Sequence, residues 1–179
     1  MRRVLAMLML CSASCLYAAD TPLVWSPYSR GLKLVSYNSA ESRAEFSGLV
    51  TLRGRLFVEF DMETPTQASG GVNFARFVPD AKSLRLLPVV KAGQYAAPLK
   101  YVELEPAQVA FEAAVGAKRA NLLSHGHNDT ISMPIQITLR KYTVSIECDA
   151  RAYWAQVEAR DIHPAEAMAT AARNAPHGC

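Results

Sequence analysis

Three side chains between Ser124 and Thr130 carry the most chemistry in this 179-residue chain. His125, His127 and Asp129 alternate with Gly126 and Asn128. On an extended backbone, residues at every second position point the same way. Imidazole nitrogen and carboxylate oxygen are ligands that zinc accepts, and zinc with an open position lowers the pKa of its bound water to about 7. That chemistry is metal-assisted hydrolysis. The same residues also suit a polar surface turn, because Gly, Asn and Asp tolerate the backbone angles that turns need. Both readings put the segment just ahead of the apolar run that starts at Ile131.

The spacing resembles the H-x-H-x-D-H metal loop of the metallo-β-lactamase superfamily. The resemblance covers six residues, and the sixth here is Thr130. Only two further histidines exist, His163 and His177, and the chain is short for that fold. The resemblance implies a small metal-dependent hydrolase with zinc on His125, His127 and Asp129. Asn128-Asp129-Thr130 is also a glycosylation sequon, which matters only in a glycosylating secretory pathway.

Other catalytic patterns are missing from the sequence. No Gly-x-Ser-x-Gly elbow occurs, and Gly70-Gly71 lacks the Lys-Ser/Thr that completes a phosphate loop. The carboxylate pairs Glu103/Glu105 and Glu45/Glu59 read as solvated strand faces, since geometry must come before a catalytic role. No catalytic residue is assigned. Trp25, Tyr28 and Tyr37 cluster early, and Tyr153 and Phe57 fall opposite Trp154 and Leu56. Outward aromatics either pack under a loop or helix or build a surface for a partner.

Strands must position these groups. From Phe46 to Phe60 the even positions are mostly apolar and the odd ones mostly polar. Period-two alternation predicts a strand with the even face inward, so Val50, Leu52, Leu56 and Val58 face the core. The phase runs straight through Arg53-Gly54, which disfavours a two-residue hairpin there. One long strand bent at its glycines, or a hairpin with an odd loop, remains. From Ile131 to Leu139 the odd positions are apolar, and from Tyr142 to Trp154 the even ones. The flip at Arg140-Lys141 is a hairpin or a bulge in one long strand. On that phase Cys148 and Trp154 point inward. Shorter strands are expected over Val72–Val78, Leu84–Val90 and Tyr101–Leu104, with a loop from Met62 to Gly71. Residues 106–123 stay open between helix and strand, with part of the segment read as helix. Asp161 as cap, Pro164 in the first turn and the alanines after it predict a helix ended by Pro176. The fold class is therefore mainly β (α+β): an antiparallel barrel or sandwich with a C-terminal helix and one candidate central helix.

The first eighteen residues bear Arg2 and Arg3, an apolar run from Val4 to Leu10, and a small-residue tail ending at Ala18. That is the layout of a secretory signal peptide, and the run falls short of the about 20 residues that span a bilayer. Cys15 lacks the upstream Leu of a lipoprotein signal, and Cys11 follows the bulky Leu10, so lipidation is the lesser reading. Residues 19–179 are then one exported domain, periplasmic or secreted. Removing the two arginines leaves 17 basic against 16 acidic residues. That balance gives no electrostatic case for nucleic acid or an anionic membrane. The exported part holds two cysteines, Cys148 and Cys179, which in an oxidising compartment are expected to pair. The loop of about 30 residues would be worth roughly 3–4 kcal/mol. The sequence favours a non-enzymatic module that binds a protein or cell-envelope component without a cofactor. The alternative is the zinc hydrolase on His125, His127 and Asp129.

Overall fold

The computed structural model describes residues 31–60, 71–89, 99–124, 130–147, 150–164 and 170–171. The segment expected to be a signal peptide, Cys11, Cys15, Trp25, Tyr28, the disulfide candidates Cys148 and Cys179, and the segment of His125, His127 and Asp129 lie outside the described residues.

Two 18-residue strands form the spine: β2 (Arg43–Phe60) and β5 (Thr130–Glu147). They pair antiparallel almost end to end, from Arg43 opposite Ser145 to Glu59 opposite Thr130. The outer edge of β2 takes β1 (Leu32–Asn38) at one end and β3 (Val72–Pro79) at the other. The outer edge of β5 takes β6 (Ala150–Gln156), β7 (Ile162–Pro164) and β8 (Thr170–Ala171). A short β4 (Val102–Glu105) bridges β3 and β6. The ring β2-β3-β4-β6-β5 closes on itself through the β2–β5 ladder, giving a five-stranded barrel with extra strands. All neighbours are antiparallel except β4 and β6. This connectivity, with helices between the third and fourth barrel strands, is that of the OB barrel. Shared connectivity describes a fold and by itself assigns no function.

The inward phase follows the alternation. Val50, Leu52, Leu56 and Val58 are buried, while Thr51 and Arg53 are exposed. There is no turn at Gly54 and none at Arg140-Lys141, so both segments are single long strands. From Phe46 to Val50 β2 advances four residues while β5, from Tyr142 to Leu139, advances three. The extra residue is a bulge at Gly48–Leu49, and it lets β5 change phase while both strands keep their apolar sides inward. Gly48 has φ +154° and lies so close to the Gly31 carbonyl that a Cβ would run into it. The Leu49 N–H donates to that carbonyl at 3.0 Å. Pro134, which brings no N–H to a ladder, falls in the interval between β8 and β7 on the other edge of β5.

Glu147 pairs with Ala150, so the chain reverses after Glu147. This overturns the expected phase beyond it. Directly opposed residues share a face, and Tyr153 lies opposite Val144 and Ala155 opposite Tyr142. Tyr153 and Ala155 are therefore buried, and Trp154 turns outward beside Thr143. Inside the barrel Tyr142 is fully buried, its ring 6.1 Å from Phe46 and 6.3 Å from Tyr153, and its hydroxyl donates to the Pro88 carbonyl at 2.9 Å.

Of the three α-helices among the described residues, the first two pack on barrel strands and the third packs on the second. The strand expected over Leu84–Val90 is replaced at its start by α1 (Ala81–Leu84) and a following turn. Asp80 sets this helix by accepting from the N–H groups of Ser83 at 2.7 Å and Lys82 at 3.1 Å. The central segment is helical: α2 (Ala107–Val115) and α3 (Ala117–Ser124), broken at Gly116 with φ +84°. Pro106 caps α2 from an extended conformation. Ala110, Phe111 and Ala114 face the barrel, and Phe111 meets Phe60 edge-on at 5.3 Å. None of the helices among the described residues is long and apolar enough to cross a membrane.

The helix expected from Asp161 is overturned at its start. Residues Ala159–Asp161 form a 3-10 turn, Ile162–Pro164 is strand β7, and Thr170–Ala171 is strand β8. The Asp161 carboxylate is spent on the Arg140 guanidinium at 2.8 Å and the Glu158 N–H at 3.1 Å. Ile162 is buried opposite Ile137. Pairing with β5 and burial outweigh alanine's helix preference, which is a weak local term.

Candidate functional site

The outward side chains of a barrel are the ones free to meet a ligand. Cross-strand pairing lines them up in rows, and one row circles the wall: Phe57, Arg76, Glu103, Trp154, Thr143 and Glu45. On its β3–β4 stretch the Arg76 guanidinium lies 4.4 Å from the Phe74 ring and 5.2 Å from the Tyr101 ring, with Glu59 at 3.5 Å. Here Arg76 is only 8% exposed, and its charge is engaged within the fold.

The more open stretch surrounds Trp154. A groove of about 580 Å³ is lined by Trp154, Glu105 and Gln156 on one side and Arg43, Glu45 and Ser47 on the other, with Lys141 and Thr143 between. Strand pairing places each group: Glu105 lies beside Gln156, Gln156 beside Lys141, and Lys141 beside Ser47. A second hollow of about 420 Å³ shares Glu105, Lys141 and Gln156 and continues the groove to Arg140 and Asp161. Arg43 pairs with Glu45 at 3.1 Å, and Glu45 also accepts from Ser36 at 3.0 Å. Arg140 is held by Asp161. These groups are paired, whereas the exposed Lys141 and Glu105 form no ion pair among the described residues and can address a ligand across the Gln156 amide. The half-buried indole supplies a flat apolar face with a polar tip. A concave site with an aromatic floor and few, fixed polar groups suits reversible binding.

A separate hollow of about 540 Å³ lies farther along the β2–β5 ribbon, lined by Arg53, Arg55, Asp80, Pro134, Gln136, His163 and the backbone between them. Arg53 stands opposite Gln136, and Gln136 opposite His163. The Asp80 carboxyl is held below the usual carboxylate range, chiefly by the Ser83 N–H that it accepts.

Among the described residues no cluster of three or more His, Cys, Asp or Glu could hold a metal ion. His125, His127 and Asp129 fall outside them, as do Cys148 and Cys179. Tyr37 is exposed on β1. Glu103 and Glu105 share the outward face of β4 and are split by use, Glu103 beside Arg76 and Glu105 in the groove. Sequence reading missed Trp154 as an outward residue and missed Gln136 and His163 as neighbours of Arg53. The outward phase of β2 already held Arg53 and Arg55 two residues apart, but only the strand register shows what they face.

No protein family, curated protein or solved structure matches the chain.

Proposed function

We propose that the chain is an exported, non-enzymatic binding module, periplasmic or secreted, that recognises a protein or a component of the cell envelope. The observation that supports this reading is the Trp154 groove: an outward indole on the barrel wall, flanked by ion-paired side chains and by two charges of opposite sign that form no ion pair among the described residues. Such a floor stacks on or packs against a ligand, while Lys141, Gln156 and Glu105 fix its orientation. The N-terminal segment supports export.

Two measurements test the reading. Mass spectrometry of the protein from its native host should find a mature N-terminus at Ala19 or Asp20, and an intact Met1 or a lipid mass on Cys15 would contradict it. The immobilised full chain should retain a component of an envelope extract that Trp154→Ala does not retain, with the melting temperature unchanged. Equal retention by the variant sinks the groove.

A further inference from the structure

Arginines on the strands of this barrel are mostly matched to carboxylates. Arg43 pairs with Glu45, Arg76 with Glu59 and Arg140 with Asp161. Arg53 and Arg55 break the pattern: neither forms an ion pair among the described residues. Each is instead tethered by one neutral hydrogen bond. The Arg53 Nε donates to Gln136 Oε1 at 3.3 Å, and an Arg55 Nη donates to the Ser132 hydroxyl at 2.8 Å.

The tethers have a chemical consequence. A guanidinium has five N–H donors, so one bond each leaves most of the fork unused and aimed from a held position. Gln136 spends its oxygen on Arg53, which leaves its two amide N–H groups as donors. His163 follows in the same cross-strand row. Arg53 and Arg55 sit two residues apart on one face, about 7 Å along the strand. The hollow between them is walled by Pro134 and Pro164, whose rings keep the floor stiff. Its one acid is Asp80, whose Oδ1 already accepts two backbone N–H groups of α1 and lies near Lys82. Two positive charges therefore face one engaged negative charge. Donors come from three strands, β2, β5 and β7, and beside the imidazole the acceptor left over among these side chains is the second oxygen of Asp80, which the two guanidiniums outnumber.

We propose that Arg53, Arg55, Gln136 and His163 form an oxyanion site that binds a phosphate group. Paired guanidiniums match the oxygens of phosphate bidentately, and bonds to an ionised acceptor are roughly twice as strong as neutral ones. A tetrahedral dianion uses donors arriving from several strands, whereas a planar carboxylate uses one fork. The site shares no residue with the Trp154 groove, so it stands or falls separately from the proposed binding function.

The test titrates the full chain with inorganic phosphate, with acetate in parallel, and adds sedimentation with phosphatidylcholine vesicles with and without phosphatidic acid. Saturable phosphate binding is expected, tighter than acetate and about tenfold weaker in each of Arg53→Gln and Arg55→Gln, the loss of one charge-assisted contact. Arg85→Gln removes the same charge away from the site and should leave binding unchanged. Binding only to phosphatidic acid vesicles, with the same dependence on both arginines, also supports the site and names a lipid headgroup as the source. If neither probe binds, if acetate binds as well as phosphate, or if Arg85→Gln weakens binding as much as the site variants, the proposal is overturned. Unchanged melting curves of the variants exclude misfolding, and Arg55→Lys, which keeps the charge but not the fork, should bind more weakly than wild type.

Discussion

Replacing Tyr142 by Phe removes one oxygen from the barrel's interior and leaves the ring where it is. The ring's contacts with Phe46 and Tyr153 survive, so the apolar burial is unchanged. What is lost is the 2.9 Å bond to the Pro88 carbonyl, which then stays buried without its donor. An orphaned buried acceptor costs about 1–3 kcal/mol. The phenol also titrates. Burial, and secondarily the neighbouring Tyr153, push its pKa well above 10.0. The unfolded chain releases this proton at about pH 10, while the folded chain holds it to higher pH. The stabilisation is therefore complete below the unfolded pKa and is lost as pH rises toward the folded one, at up to about 1.4 kcal/mol per pH unit. Phe has no proton to lose. Denaturant unfolding followed by circular dichroism should show the variant less stable by about 1–3 kcal/mol near pH 8. The gap should narrow above about pH 10, because only the wild type is weakened by this group. A gap of constant size on both sides of that pH would refute the burial argument. A variant as stable as wild type near pH 8 would refute the hydrogen bond.

Neighbouring residues on β2 test the face assignment. Leu52 is fully buried, so Leu52→Ala should cost about 2–5 kcal/mol, while the exposed Thr51→Ala should stay within roughly 0.5 kcal/mol. Equal losses in the same unfolding assay would mean that the strand is misassigned. Thiol titration of the protein purified from its native host under denaturing, non-reducing conditions should find Cys148 and Cys179 unreactive, and two reactive thiols would show that they do not pair. Metal analysis of purified protein should give the same low zinc content for wild type and His127→Ala. Stoichiometric zinc that the variant loses would put the hydrolase reading ahead of the binding module.

The barrel was legible because its walls are long strands with one apolar face. The fifteen residues of alternation from Phe46 to Phe60 leave little room for another period, and burial then enforces the phase: Leu52, Leu56 and Val58 are fully buried. The bulge was half legible. The flip at Arg140-Lys141 is visible in the sequence of β5, but the extra residue that matches it sits on β2, at Gly48–Leu49, 92 residues earlier (140 − 48). The C-terminal helix was misread for a related reason. Asp161, Pro164 and the alanines give a consistent local signal, yet Ile162 pairs with Ile137 and the aspartate serves Arg140. Trp154 faced the wrong way because the reversal after Glu147 resets which residues share a face. In each case the missing information is a pairing between distant segments, which local periodicity does not contain.

The same bulge organises the outer wall. An extra residue bends the strand and increases its local twist. Arg43, Glu45 and Ser47 lie before the bulge, and Thr51, Arg53 and Arg55 lie after it. One ribbon thereby presents two outward surfaces, the Trp154 groove beside β6 and the arginine hollow beside β7. Side-chain period is two, so the offset between these surfaces depends on a residue count. Deleting Leu49 would restore equal advance on β2 and β5 and force a choice. Either Phe46 or Val50 would leave the core, and the outward rows on that side would turn inward with their charges. Gly48 is therefore held on two grounds, its φ of +154° and its contact with the Gly31 carbonyl, and through them it sets how the wall divides between its two sites.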